Sequence, residues 1–156
     1  MNQFVILHNI RSAHNVGSVF RTADGAGITK IFLTGYTPSP IDRFGRVQKE
    51  MLKTSLGAAH TVPYESVEDI LELLPRLGNE GVDIVAVEQT DRAIPYKDFM
   101  CTKDTAFIFG NEVMGVEQDV LLNVTDHITI PMYGTKESLN VSVCAGIILF
   151  HFRERL

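Results

Sequence analysis

Short runs that are apolar at nearly every position, each closed by a polar loop, constrain the fold of this chain more than any other feature. They are residues 3 to 8 around Phe4-Val5-Ile6-Leu7, Lys30 to Thr34, Asp83 to Val87, Ala106 to Phe109 and His127 to Ile130. A strand that is apolar throughout is covered on both faces, which is the condition of a parallel sheet lying between helical layers. The segments between the runs supply those layers. Val16, Val19, Phe20 and Ala23 fall on one helical face of residues 16–24, and Val67, Ile70, Leu71, Leu74 and Leu77 recur at helical spacing after Ser66. Ser66 with Asp69 has the spacing of a capping box in Asp form, and Pro75 is expected to bend or end that helix early. A short helix near residues 117–123 and a last one from about 141 complete the series. Residues 88–104 read as a polar loop anchored by Tyr96 and Phe99. The expected fold class is α/β, a mainly parallel sheet flanked by helices.

With 156 residues, 45% of them apolar and 21% charged, the chain is expected to form one globular domain with no second folded module. No stretch is long and apolar enough to span a bilayer. Met1-Asn2-Gln3 leads straight into the first strand, so no signal peptide is expected and the chain reads as cytoplasmic. Cys101 and Cys144 lack any CxxC spacing, and the histidines at 8, 14, 60, 127 and 151 form no HxxxH pair, so free thiols and no metal site are expected. The net charge of -5 does not advertise a nucleic-acid binder. One local exception follows the Gly- and Pro-rich loop 35–45, where Arg43, Arg46, Lys49 and Lys53 outnumber Asp42 and Glu50. That excess suits a solvated face and a basic contact patch equally well.

In an open parallel sheet, ligands bind outside the carboxyl ends of the strands. Three polar clusters stand at such ends. The first, Asn15-x-Gly17-x-x-x-Arg21-x-Ala23, sets a guanidinium inside a mostly apolar helix, where it is either an ordinary surface arginine or a fork of donors for phosphate. The second, Gly110-Asn111-Glu112-Val113-Met114-Gly115, is a tight turn with a solvent-facing Glu112 or a close approach to a ligand; it is neither a P-loop nor a GxGxxG site. The third begins at Ile130, where Pro131 stops a strand, and runs through Met132 and Ser138-Leu139-Asn140 into a helix starting at Val141. Side chains at a helix start cap backbone amides, and the same amides can hold a ligand oxygen.

Taken together and in this order, the three clusters resemble the motifs of the SpoU (TrmH-like) branch of the SPOUT methyltransferases. Asn15, Gly17, Arg21 and Ala23 match the first motif, and Gly110, Asn111, Glu112 and Gly115 match the second. The third matches from Ile130-Pro131-Met132 through Ser138-Leu139-Asn140-Val141-Ser142-Val143 to Gly146. The resemblance implies a deep trefoil knot near the C-terminus, an S-adenosylmethionine site within it, a homodimer, and methyl transfer to a ribose 2′-hydroxyl of tRNA or rRNA. It assigns Gly110, Ile130 and Leu139 to the cofactor, with Met132 and Ser138 beside them and Glu88 added at the end of the strand before the long loop. It assigns Arg21, Asn15, Glu112, Ser138 and Asn140 to catalysis and to positioning the ribose. Val113 stands where the second motif usually has a glycine, and Val116-Glu117 where a Leu-Ser type pair is common, which puts the shape of that loop in question.

A guanidinium has a pKa above about 12, so Arg21 is expected to grip phosphate and polarise the 2′-hydroxyl rather than take its proton. The chain carries no separate RNA-binding domain in this reading, and RNA contacts are expected from Arg11, His14, Arg43, Arg46, Lys49 and Lys53 across two subunits. The last helix is apolar on one face at Val141, Ala145, Ile148, Leu149 and Phe152 and on the other at Val143, Ile147 and Phe150. It therefore suits a central core helix or a dimer seam. Two other functions share these residues: a catalytically silent RNA-binding or assembly protein, and a hydrolase built on Ser138 or Cys144 with a histidine. The hydrolase lacks a GxSxG elbow and an orienting carboxylate beside His127.

Overall fold

A computed structural model describes residues 1–155. The strands are β1 (Gln3–His8), β2 (Lys30–Thr34), β3 (Tyr64–Val67), β4 (Asp83–Val87), β5 (Ile94–Pro95), β6 (Thr105–Phe109) and β7 (Asp126–Thr129). They form a seven-stranded sheet in the order β3-β2-β1-β6-β4-β7-β5, and every pairing is parallel. The helices are α1 (Ala13–Ala26), α2 (Lys49–Ser55), α3 (Ala58–Thr61), α4 (Ile70–Asn79), α5 (Gln118–Leu121) and α6 (Val141–Arg153).

Period-two alternation sends the strand residues to two different cores. Val5, Leu7, Ile31, Leu33, Val85, Val87, Phe107 and Phe109 join the layer made by α1, α2, α3 and α6. Ile6, Phe32, Ile84, Ala86, Ala106 and Ile108 join the layer of α4 and α5. The continuous apolar runs are thus explained by two covered faces. Phe152 of α6 stacks on Phe107 at 5.0 Å and meets Phe99 edge-on at 5.8 Å, while Tyr96 meets His151 at 4.7 Å. Tyr96 and Phe99 anchor the long loop as expected.

Three local expectations are corrected. Residues 64–67 form β3, paired with β2, so Ser66 caps nothing; Asp69 is the N-cap of α4 and accepts from the Leu71 amide at 2.8 Å. Pro75 lies inside α4 without ending it. The backbone bond that it removes is to the carbonyl of Leu71, an exposed residue, so water can serve that carbonyl. Helices α2 and α3 are absent from the periodic pattern because each is short; α2 buries only Met51 and Ser55 among charged neighbours. Among the described residues no helix is long and apolar enough to cross a membrane.

Helix α2 is held by α1 at Gly17. A Cβ there would collide with Thr54 Oγ1 and the Met51 carbonyl oxygen. Thr54 Oγ1 also donates to the His14 carbonyl at 3.2 Å, which fixes the two helices in register. Gly17→Ala is expected to force the helices apart and cost about 1–3 kcal/mol. Urea unfolding of both proteins checks this, and an unchanged midpoint would show that α2 is loosely held.

Candidate active site

Three neighbouring strands each end on a residue that faces one cleft. Glu88 follows β4, Gly110 follows β6 and Ile130 follows β7. Met132, Glu112, Ser138, Leu139, Val141 and Cys144 complete the wall of a cleft of about 390 Å³. All six residues expected to hold a cofactor therefore line one cavity, whose volume suits a small-molecule ligand. Val87, Ile130, Met132 and Leu139 give it apolar walls, and the Glu88 carboxylate gives it a negative pole. No backbone–backbone hydrogen bond involves residues 131–139 among the described residues, which leaves the amides of 132–139 and every carbonyl but that of Glu137 available to a ligand. The side chain of Gln89 ties this segment to β4 by donating to the Glu137 carbonyl.

The second loop is shaped by Asn111. Its Oδ1 accepts from the amides of Val113 and Met114 at 2.9 and 2.8 Å, and its Nδ2 donates to the Asn9 carbonyl and the Tyr36 hydroxyl, both at 2.9 Å. Gly115 has φ +69, and a Cβ on it would strike the Glu88 carboxylate. Glu88 instead accepts from the amides of Gln89 and Val116 at 2.8 and 3.0 Å. The residues that depart from the family pattern take separate places in this loop. Val113 is 77% exposed at the rim of the cleft. Val116 packs into the α4–α5 core, and Glu117 pairs with His8 at 2.8 Å and accepts from Asn9 at 2.7 Å.

Glu112 does not merely face solvent. Its carboxylate accepts from the amides of Arg11 and Ser12 at 3.2 and 3.4 Å and from Asn15 Nδ2 at 3.3 Å. Partial burial pushes the carboxyl up, but its own backbone amide, those of Arg11 and Ser12, and the Asn15 amide outweigh this and hold it below the usual carboxylate range. Asn15 Oδ1 in turn accepts from Asn140 Nδ2 at 3.2 Å. Asn140 is the N-cap of α6, its Oδ1 accepting from the Ser142 amide at 2.9 Å and the Ser142 hydroxyl at 2.6 Å. Glu112, Asn15 and Asn140 thus form one relay joining the three loops. Ser138 lines the cleft beside it.

Arg21 is not brought to this cleft by its own chain. It lies six residues beyond Asn15 on α1, about 9 Å along the axis and roughly 120° around it. It is exposed and makes no hydrogen bond or ion pair among the described residues. The remaining basic residues flank the relay from the other side. Arg11 and His14 are exposed at the start of α1, Lys49 and Lys53 on α2, and Arg43 and Arg46 in the preceding loop. Sequence reasoning missed Tyr36 and Asn9 as supports of the second loop. Asn9, with φ +54 directly after a strand, carries the one local signal, since asparagine tolerates that conformation.

Neither the thiol nor the histidine of the hydrolase reading is armed. Burial, with the charge of Glu88 adding to it, pushes the Cys144 thiol up to about 12. His127 is buried, paired with Thr90 Oγ1 at 2.7 Å and the Leu121 carbonyl at 3.1 Å. A thiol with so high a pKa stays protonated at neutral pH. In a Cys101→Ser background, native protein at pH 8 is expected to react with a disulfide reagent only after unfolding; a fast native phase would contradict the placement of Cys144. Asn140→Ala is expected to lose the cap of α6 and cost about 1 kcal/mol, read as a lowered urea midpoint.

Comparison with known proteins adds to this geometry. The chain is 31% identical to a 23S rRNA (guanosine-2′-O-)-methyltransferase of Neisseria meningitidis over 97% of its own length and 58% of the relative's. It is 32% identical to a tRNA (guanosine(18)-2′-O)-methyltransferase of Aquifex aeolicus over 94% of its length and 66% of the relative's. It therefore spans roughly three fifths of these curated relatives. An AdoMet-bound rRNA methyltransferase from Sinorhizobium meliloti superposes with a TM-score of 0.88 at 27% identity, covering 99% of this chain and 57% of that one. The A. aeolicus TrmH/SpoU tRNA modifying enzyme gives 0.86 at 27% identity, covering 99% and 75%. The family model of the SpoU rRNA methylases matches residues 2–150, a span that includes all three loops of the relay, and the chain belongs to that family.

Proposed function

We propose that this chain is an RNA methyltransferase that moves methyl from S-adenosylmethionine to a ribose 2′-hydroxyl of a tRNA or rRNA in the cytoplasm. The observation that carries the reading is the cleft itself: apolar walls, a carboxylate pole and the free backbone groups of 131–139, set directly against the Glu112–Asn15–Asn140 relay. Those features suit a ligand with a flat heterocycle, an amino-acid tail and a cationic centre. Ile130, Met132 and Leu139 would enclose the heterocycle, Gly110, which lets the Gly115 backbone pack against it, would line the same wall, and Glu88 would face positive charge. Bound there, S-adenosylmethionine supplies an electrophilic methyl that an oxygen must approach in line. The relatives' named activities on tRNA and 23S rRNA point to the same chemistry.

A ribose hydroxyl is a weak nucleophile at neutral pH, so the protein must polarise it. In our reading Arg21 does this while its fork grips the neighbouring phosphate. Ser138 orients the ribose at the cleft wall, and Asn15 and Asn140 keep the loops in place. Because Arg21 stands away from its own cleft, we infer that it serves the cleft of a second copy. Support comes from α6, where Val143 and Phe150 are half exposed beside α1, and a Cβ on Gly25 of α1 would lie 3.4 Å from the Phe150 ring. Burying this seam in a homodimer would place Arg21 at the interface. We also infer the deep C-terminal trefoil knot. The chain passes from β7, near one edge of the sheet, back to α6 packed on α1, which is the return a knot of this kind needs.

Wild-type protein is expected to bind S-adenosylmethionine by calorimetry and to transfer its labelled methyl to unfractionated tRNA or rRNA, with a 2′-O-methyl nucleoside in the digest. Binding without any such nucleoside in either RNA would leave a catalytically silent binder. Arg21→Lys is expected to lower kcat by about 100-fold, and near-wild-type turnover would remove the requirement for a planar fork. An Arg21→Ala subunit paired with a Leu139→Trp subunit, whose cleft is filled, is expected to regain up to half of wild-type activity. No regain would overturn action across the dimer.

A further inference from the structure

We propose that Phe44, framed by Arg43 and Arg46 at the tip of the loop between β2 and α2, is a stacking platform for an unpaired base of the RNA. The inference takes from the reading above that the ligand is RNA. Its evidence is local. An antiparallel bridge between Ile41 and Val47 closes the loop, and Asp42 braces it from inside. Asp42 Oδ1 accepts from the amides of Phe44 and Arg46 at 2.8 and 2.9 Å, and its Oδ2 accepts from Arg46 Nε at 2.8 Å. The Gly45 amide donates to the Asp42 carbonyl at 2.9 Å, with Gly45 at φ +77.

So many bonds within a few residues make a defined tip, yet its largest side chain is held in water. Phe44 is 67% exposed. The guanidinium carbons of Arg43 and Arg46 lie 4.9 and 5.0 Å from the ring centroid. Arg46 is paired with Asp42, whereas Arg43 has no carboxylate partner among the described residues. Because Arg43 lies over the ring without a carboxylate partner, it can swing to a phosphate and leave a π-face for the base. Two guanidiniums against one carboxylate leave the tip with a positive excess that suits a polyanion.

The loop's position agrees. It leads into α2, where exposed Lys49 and Lys53 can follow the phosphate backbone, and α2 is locked to the start of α1, which holds Asn15. At its other end the loop begins at Tyr36, whose hydroxyl accepts from Asn111 in the second loop of the cleft. The loop that carries Phe44 is thus tied at both ends to elements that hold residues of the candidate site.

The chain has no tryptophan, so Phe44→Trp creates a single fluorescent reporter on an exposed side chain. A mixed-sequence 12-nucleotide single-stranded RNA is expected to quench its emission, and an abasic strand of the same length and charge is not. Equal quenching by both strands, or none by either, would overturn the platform. Phe44→Ala is expected to weaken binding of the same RNA about tenfold and Phe44→Tyr to restore it, with S-adenosylmethionine affinity unchanged in each. Wild-type RNA affinity in Phe44→Ala would also overturn it and assign the ring to a protein contact. Failure of the wild-type protein to bind S-adenosylmethionine while base-dependent quenching persists would remove the methyltransferase reading and leave the platform standing.

Discussion

The tie from Glu112 through Asn15 to Asn140 is the constraint on which the cleft depends. Glu112 lies in the loop after β6, Asn15 in the first turn of α1 after β1 and Asn140 at the start of α6 after β7, and segments leaving different strands move independently unless something joins them. One carboxylate accepting three donors does so here, because an ionised carboxylate offers about four acceptor sites and no donor. The amide of Asn15 then passes the link on, donating to Glu112 and accepting from Asn140. A neutral amide at position 112 would turn half of the acceptor face into a donor facing other donors. The depressed pKa of Glu112 gives the tie its pH range. The charge is present above the ordinary carboxylate pKa and is lost only as pH falls through the lowered folded value, well below neutrality.

The strand order explains why those loops meet at all. The first three strands add successively from β1 outward through β2 to β3, after which the chain crosses to build β6, β4 and β7 on the other side of β1. A parallel sheet that reverses its direction of growth leaves a crevice at the carboxyl ends of its central strands. Here the crevice collects the ends of β4, β6 and β7, and α1 follows β1 at its border. Helix α1 therefore starts beside the cleft and runs away from it, which is why Asn15 joins the relay and Arg21 does not. The distance between those two residues is set by helix rise and turn, so Arg21 stays outside the cleft of its own chain.

Much of this was legible in the sequence. The central strands and the faces of α1 and α6 could be placed because continuous apolar runs and strand-stopping residues report directly on burial and topology, whereas the residues at 88, 110, 130, 132, 138 and 139 were picked out by the family resemblance, and the structure brings them to one cleft. Helices α2 and α3 were not legible, since a two-turn helix with a pair of buried residues has no periodicity to detect. The cap of α4 was misplaced by three residues because Ser66 and Asp69 offer the same chemistry, and pairing with β2 decides between them. The tether on Glu112 was hidden for a different reason. Its main donors are the backbone amides of Arg11 and Ser12, a hundred residues distant, and a backbone amide has no residue type to recognise.

Net charge misleads for a related reason. The chain is acidic overall, and Glu68, Asp69, Glu117 and Asp119 crowd one groove beside β1 on the α4–α5 side of the sheet. Arg11, His14, Arg43, Arg46, Lys49 and Lys53 all stand with α1 and α2 on the opposite side. Packed layers lie about 10 Å apart, while the Debye length at physiological ionic strength is about 8 Å. A polyanion near α2 therefore responds to the basic edge, and the acids across the sheet are largely screened from it. Part of the acidic groove is also neutralised internally, since Glu117 faces His8 and Asn9. What a polyanion would meet is thus the partition of charge between two faces, and that partition follows from strand order rather than from composition.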